Sequence, residues 1–469
     1  MKRYDRYSKY EDRWITSLPS HWGYKRLKEV LKERKEKNSP VKTHNILSLT
    51  NTRGVIPYSE KGNVGNKAKE SLEGYMLAYP NDIVINSMNI IIGSVGLSKY
   101  FGAVSPVYYM LYTRNNDNIR YFNYVFQNKP FQESLRGLGN GILEIRMRIP
   151  MYKLNNVCIP VPPRSEQDQI VRYLDWQVSK INKLIAAKKK EIAVLEEYKQ
   201  TAIDEAVTKG ISNHDFVTSN VDWIEQIPSS WKLKKIKEYF SFGKGLSITK
   251  ANLVEEGIPV ISYGQVHSKR NTGVKVEQHL LRYVPDTYLE LSPNALVNKG
   301  DFIFADTSED YLGVGNCVYI DVTNTLFAGY HTIIARSKHN ENGKFFAYLF
   351  RSSAWRYQIR KRVNGVKVYS ITQKILGTAS VLIPPKNEQA EIVEYLDDIC
   401  GRVDAIIENL YKRIDIFHEY RTRLISDVVT GQIDVRGIEI PDYEYVEEES
   451  DEETDETEGA DEEVEEQEE

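Results

Sequence analysis

The chain of 469 residues states part of itself twice, so its fold must accommodate one long helical stretch in two places. Pro162, Pro163, Glu166, Gln167, Ile170, Val171, Tyr173, Leu174 and Asp175 return in order, without a gap, as Pro384, Pro385, Glu388, Gln389, Ile392, Val393, Tyr395, Leu396 and Asp397, at an offset of 222. The match continues to Val207, Thr208 and Ile211, which return as Val429, Thr430 and Ile433, with 18 identities over 50 aligned positions. An upstream echo repeats Trp14, Ile15, Pro19, Ser20, Trp22, Lys25, Lys28 and Glu29 as Trp223, Ile224, Pro228, Ser229, Trp231, Lys234, Lys237 and Glu238, at an offset of 209. The duplicated unit is a globular block followed by a helical block. The second globular block is longer by 13 residues, the difference between the two offsets.

Each helical block carries a heptad stripe. In the first copy it comprises Leu174, Val178, Ile181, Ile185, Ile192 and Leu195, interrupted by Lys188 and Lys199. In the second it comprises Leu396, Val403, Ile407, Leu410, Ile414 and Phe417, with Arg421 aligned to Lys199. Apolar residues in steps of three and four, sustained over several heptads, make a coiled-coil seam. Ser165 and Asn387 are the expected N-caps, Glu166 and Glu388 suit the positive end of the helix dipole, and Gly210 and Gly431 are the expected stops. A helix of about 44 residues spans roughly 65 Å, too long for an ordinary core helix, and its natural partner is its own repeat. Two such helices in one chain pair most simply antiparallel, with a globular block at each end in pseudo-twofold relation. A coiled coil between chains is the alternative.

The globular blocks alternate short β-rich runs with loops. The runs are Asn45–Leu49, Asp82–Ile85 and Val107–Tyr112, then Pro259–Tyr263, Asp301–Ala305 and His331–Ala335. An aromatic helix follows in each, with Phe122, Tyr124 and Phe126 matching Phe346, Tyr348 and Phe350. Between these anchors the copies share little, as two readers of different sequences would require. The expected class is α+β. It comprises two mixed α/β domains at 1–157 and 213–380, helical spacers at 158–212 and 381–434, and an acidic disordered tail at 435–469.

Charge is divided along the chain. From Gly437 onward there are 19 acidic residues and no Lys or Arg, so the net charge of -4 conceals a body with 62 basic against 47 acidic residues. A body at +15 points to a polyanionic partner. The tail is expected to stay disordered, either as a solvating segment or as a weak mimic of DNA competing for the basic surface.

Candidate contacts lie in the loops. The first block offers Asn51, Thr52, Arg53, Asn86, Asn89, Arg136, Asn140, Arg146 and Arg148. The second offers Gln265, His267, Lys269, Arg270, Asn271, Arg360, Lys361, Arg362, Asn364 and Lys367. Arg and Lys fork onto guanine, Asn and Gln pair with adenine, and basic side chains neutralise phosphate. Trp14, Trp22, Trp223 and Trp231 read as packing anchors. Cys158, Cys317 and Cys400 are widely spaced, without a metal or redox pattern, and read as structural thiols in a reducing cytosol. No phosphate loop, metalloprotease motif, dinucleotide turn, nucleophile elbow or methyltransferase tetrad is present, and no signal peptide or membrane span is visible. Chemistry is therefore expected from another chain. The competing readings are an enzyme with its own methyltransferase or nuclease site, and a coiled-coil scaffold without sequence recognition.

These motifs resemble the specificity subunit of Type I restriction-modification systems. The resemblance rests on Leu18-Pro19-Ser20-His21-Trp22 and Ile227-Pro228-Ser229-Ser230-Trp231, and on the helix starts from Pro162 to Ile170 and from Pro384 to Ile392. It covers residues 14 to about 434 and implies two target recognition domains, each reading one half of an asymmetric bipartite site in double-stranded DNA. It further implies that the helices dock two methyltransferase subunits, with Pro163, Glu166, Gln167, Pro385, Glu388 and Gln389 as candidate docking positions, and that motor-nuclease subunits join for cleavage. This chain would be non-catalytic and cytoplasmic, holding no cofactor or metal, while its partners use S-adenosylmethionine, ATP and magnesium. A Type II system with a fused nuclease-methyltransferase partner, or an orphan DNA-binding subunit, is the alternative. The acidic tail departs from the family pattern and inherits no role from it.

Overall fold

The computed structural model describes residues 2–50, 53–61, 71–139, 148–339, 341–363, 365 and 368–447. The chain divides into two units, Met1–Lys190 with Leu410–Glu469, and Glu191–Asn409.

Unit 1 is built on a four-stranded antiparallel sheet of β1 (Leu31–Arg34), β2 (Ile83–Asn86), β3 (Val95–Leu97) and β4 (Tyr108–Thr113), in the order β1-β4-β2-β3. Ile83, Val84 and Ile85 are all fully buried, so this strand is covered on both faces and carries no alternating pattern. Helix α1 (Ile119–Phe126) follows, N-capped by Asn118, with Tyr121, Phe122, Val125 and Phe126 buried. The long helix α2 (Arg164–Lys209) starts in this unit, directly after the strand Cys158–Val161 that pairs with Gly23–Arg26.

Unit 2 repeats the plan. Its sheet comprises β5 (Phe240–Lys244), β6 (Phe302–Ala305), β7 (Cys317–Tyr319) and β8 (Thr332–Ser337), in the order β5-β8-β6-β7, again antiparallel throughout. Helices α3 (Gly343–Arg351) and α4 (Ser353–Arg360) follow, and the strand Ser380–Ile383, paired with Lys232–Lys235, leads into the second long helix, α5 (Lys386–Val429). The core of this unit joins Phe302, Phe304, Phe346, Phe350 and Trp355 to Ile203 and Val207 of α2 and to Ile392 and Leu396 of α5. Each such fully buried side chain contributes roughly 1.5–3 kcal/mol. The six β-rich runs read from the sequence are all strands, displaced by one or two residues: Leu47–Thr50, Ile83–Asn86, Tyr108–Thr113, Ile258–Ile261, Phe302–Ala305 and Thr332–Ser337.

The two long helices pack antiparallel within each unit. In unit 1 the start of α2 lies beside the end of α5. A Cβ at Gly431 would stand 3.1 Å from Trp22, whose indole donates to Glu166, while farther along Arg421 donates to Asn182 at 3.1 Å. In unit 2 Gly210, at the end of α2, lies against Glu388 at the start of α5, and Lys199 donates to Asp404 at 2.7 Å. Of the expected seam, Leu174, Ile181, Ile185, Ile192, Leu396, Val403, Ile407, Leu410 and Ile414 are buried, while Val178, Leu195 and Phe417 are half-buried.

Two expectations need correction. The helices start earlier than the Ser165 and Asn387 caps imply, because the carbonyls of Pro163 and Pro385 already accept the first helical bonds, from Gln167 at 3.0 Å and Gln389 at 2.9 Å. Proline at the helix start sacrifices no bond, since the first N–H groups have no partner in the helix. The tail is ordered further than its charge suggests. Gln169 donates to the carbonyls of Val435 and Ile438, Ser179 donates to the Glu444 carbonyl and accepts from Val446 N, and Asn182 donates to the Val446 carbonyl. A strap from Val435 to Glu447 thus follows α2 of unit 1, held at Val435, Ile438, Glu444 and Val446 by the helix's side chains.

Candidate nucleic-acid interface

The candidate loops are carried by blocks that the repeated motifs bolt to the long helices. Gln167 Oε1 accepts from Asn118 N, the cap of α1, at 2.7 Å, and its amide donates to Asp117 and to the Pro162 carbonyl. Gln389 does the same in unit 2, with Asn342 N at 3.1 Å, Glu341 and the Pro384 carbonyl. Asp175 accepts from Tyr124 at 2.8 Å and pairs with Arg120, while Asp397 accepts from Tyr348 at 2.7 Å and pairs with Lys344. The side chains of Gln167 and Gln389 are fully buried and their polar atoms are occupied within the chain.

The Pro-x-x-Trp motifs close the other side of each junction. Trp22 Nε1 donates to Glu166 at 3.0 Å, alongside His21 at 2.6 Å and the hydroxyl of Tyr4 at 3.1 Å. In unit 2 Glu388 instead meets His214 at 2.8 Å, and Trp231 packs against His214 and Phe345. Trp223 and Trp231 are buried and Trp14 packs edge-on against Phe131, so all four tryptophans act as packing anchors.

Within unit 1, Arg53 is exposed and pairs with Glu60, Asn86 accepts from Met88 N to close a turn, and Asn89 anchors the following turn through its backbone carbonyl. Arg136 and Arg148 are exposed. Asn51, Thr52, Asn140 and Arg146 lie outside the described residues.

Gln265 accepts from Ser262 N, His267 is held between the Thr307 carbonyl at 2.8 Å and Asn316 at 3.2 Å, and Asn271 bonds to the carbonyls of Val266 and Cys317 and to Gly273 N. These three brace the loop. Lys269 and Arg270 stand exposed at its tip, with no side-chain partner among the described residues. At and just past the end of α4, Arg360 bonds to the Leu312 carbonyl, Lys361 pairs with Asp222 at 2.6 Å, and Arg362 donates to Thr378. Asn364 and Lys367 lie outside the described residues.

Sequence reasoning missed a neighbouring aromatic edge. His331 adopts a positive φ of 54°, and its exposed ring lies 3.5 Å from Asp306 and beside Tyr263 and Tyr330. A non-glycine residue in that region signals a constrained turn. Only the φ angle, invisible in the sequence, marks it. Nor did composition pick out Arg351 and Arg356, which flank the basic run.

Comparison with known proteins decides the family. The model of the Type I restriction modification DNA specificity domain matches residues 19–194 and again 228–415. The chain belongs to this family. Each matched stretch takes in one globular block and the first part of the long helix that follows. Among curated relatives, the Type I restriction enzyme MjaVIII specificity subunit of Methanocaldococcus jannaschii is 23% identical over 435 residues, covering 90% of this chain and 95% of the relative. The EcoKI specificity subunit of Escherichia coli K12 is 25% identical over 285 residues, covering 59% of this chain and 57% of the relative. A chain from a solved type I restriction-modification complex superposes with a TM-score of 0.61 at 14% identity, covering 89% of this chain and 99% of its own, which places the two in one fold. No helix of the described residues is long and apolar enough to cross a membrane.

Proposed function

We propose that this specificity-family chain is the DNA-reading subunit of a Type I restriction-modification complex. Its recognition domains, at 1–157 and 213–380, would each read one half of an asymmetric bipartite site, and the spacers at 158–212 and 381–434 would set the distance between half-sites and dock two methyltransferase subunits. Adenine methylation and cleavage would come from those partners and from motor-nuclease subunits, using S-adenosylmethionine, ATP and magnesium. One observation carries this reading: two blocks share a sheet order and the same glutamine and aspartate locks to a long helix, while their sequences between these shared anchors have little in common. A shared frame with divergent loops is suited to reading two different sequences. The Type I names of the relatives disfavour the Type II alternative.

The test is genome-wide mapping of modified adenines in cells with and without this gene, its methyltransferase partner present in both. A split motif that disappears with the gene is expected. An unchanged methylation pattern, or a continuous motif, would overturn the reading. In the same assay Arg270→Ala is expected to relax only one half of the motif.

A further inference from the structure

Three arginines of unit 2 lie on two consecutive helices without an ion pair among the described residues. Arg351 ends α3, and Arg356 and Arg360 lie on α4. None forms an ion pair among the described residues. Arg356 donates Nε to the Phe350 carbonyl at 3.0 Å, and Arg360 bonds to the Leu312 carbonyl while its own Nε is buried without a partner. Asp204, whose charge acts on Arg356, accepts from Ser353 N at 2.7 Å and from Gln200, and Asp310, whose charge acts on Arg360, accepts from Gly313 N; neither forms an ion pair with the arginines.

Two glycines let backbone approach this cluster. Gly315, at φ 92°, lies where a Cβ would stand 3.5 Å from Arg356 Cγ, and Gly273, at φ 76°, where a Cβ would stand 3.3 Å from Arg351 Cδ. The guanidinium of Arg360 is 6.0 Å from the ring of Tyr311, which is exposed at the adjoining loop tip with Leu312. Burial, together with the charges of Arg351 and Arg360, brings Arg356 down to about 10. Like charges held together without ion pairs are unfavourable, and an anion supplied from outside relieves them. Guanidinium groups match phosphate oxygens in pairs, which ammonium groups do not.

We propose that Arg351, Arg356 and Arg360 form a phosphate clamp that grips the DNA backbone at the half-site read by unit 2. The assignment rests on the DNA-reading function above and adds a division of labour. The clamp holds register without sequence information, leaving base reading to loops such as that of Lys269 and Arg270.

The experiment is a salt titration of the purified full chain, measuring anisotropy on several duplexes of unrelated sequence. Arg356→Gln with Arg360→Gln is expected to weaken binding to every duplex by the same factor. It should also reduce the slope of log affinity against log salt by roughly 0.9 for each phosphate no longer neutralised. Arg360→Lys keeps the charge and should keep the slope, which separates a missing charge from a failure to fold. An unchanged slope in the glutamine variants would overturn the clamp, as would a loss confined to some sequences, which would mean base reading. Thermal stabilisation by inorganic phosphate that the glutamine variants abolish, with their DNA slope intact, would assign the cluster to a free anion and overturn it too. If the unmodified chain shows no salt-dependent DNA binding, the function itself fails.

Discussion

Lys199 of α2 donates to Asp404 of α5 at 2.7 Å, and the repeat offset of 222 turns this same pair into Arg421 and Asn182, which meet at 3.1 Å in the other unit. The breaks at Lys199 and Arg421 are therefore two copies of one polar contact between the helices. Burial alone would lower the Lys199 ammonium, but hydrogen bonds to Asp404 and Glu196 outweigh it and hold the group above the ordinary lysine range. Such a polar group within a seam favours one register over its neighbours.

Lys199→Ala is expected to destabilise by about 1 kcal/mol, since Asp404 is half exposed and solvent screens the pair. A double-mutant cycle with Asp404→Ala checks this. Coupling indistinguishable from zero would make the contact incidental.

Ile192→Asp and Ile414→Asp each put a charge on a buried seam position, at 7% and 6% exposure. Each should cost about 3–5 kcal/mol, because an unpaired carboxylate there has neither water nor a partner. Chemical denaturation measures the loss, and normal midpoints in both variants would count against the paired helices.

Gln167→Ala should free the start of α1, and Gln389→Ala the start of α3, each leaving a buried N–H without its acceptor at a cost of roughly 1–3 kcal/mol. Hydrogen exchange reads this locally. Faster exchange at Asn118 in the first variant and at Asn342 in the second is expected, with the opposite unit unaffected; equal exchange everywhere would deny the lock.

Acid should loosen the segment that follows α5 through Asp434. Its side chain is buried and accepts from Arg436 at 2.9 Å through both Nε and Nη2, and those hydrogen bonds hold its carboxyl below the usual value. A carboxylate depressed in the folded state stabilises above its unfolded pKa, and that contribution is lost as pH falls through the lowered folded value. Arg436→Gln should therefore remove part of the pH dependence of thermal stability below about pH 4. An identical acid profile in the variant would show that the pair contributes nothing.

Much of the frame could be read in advance because it is local and periodic. The seam follows from spacing, and the six strands follow from short apolar runs with turn residues between them. The site was less legible. Gln167 and Asp175 stood out as repeated, but their partners, Asn118 and Tyr124, lie about 50 positions away and meet them only after the sheet is formed. His267 and Asn271 look like base readers in the sequence, whereas folded they brace a loop whose free cations are Lys269 and Arg270.

By itself the sequence determined the duplication, the two long helices with their apolar seams, the cationic body and the family, because these rest on residue type, period and motif. Tertiary structure alone decided which polar residues are spent on the frame and which remain for a partner. It also decided that an acidic strap would lie along α2 and that three arginines would share one corner without an ion pair among the described residues. These depend on contacts between residues far apart in the chain, where hydrogen-bond geometry and desolvation, rather than composition, determine what each side chain can do.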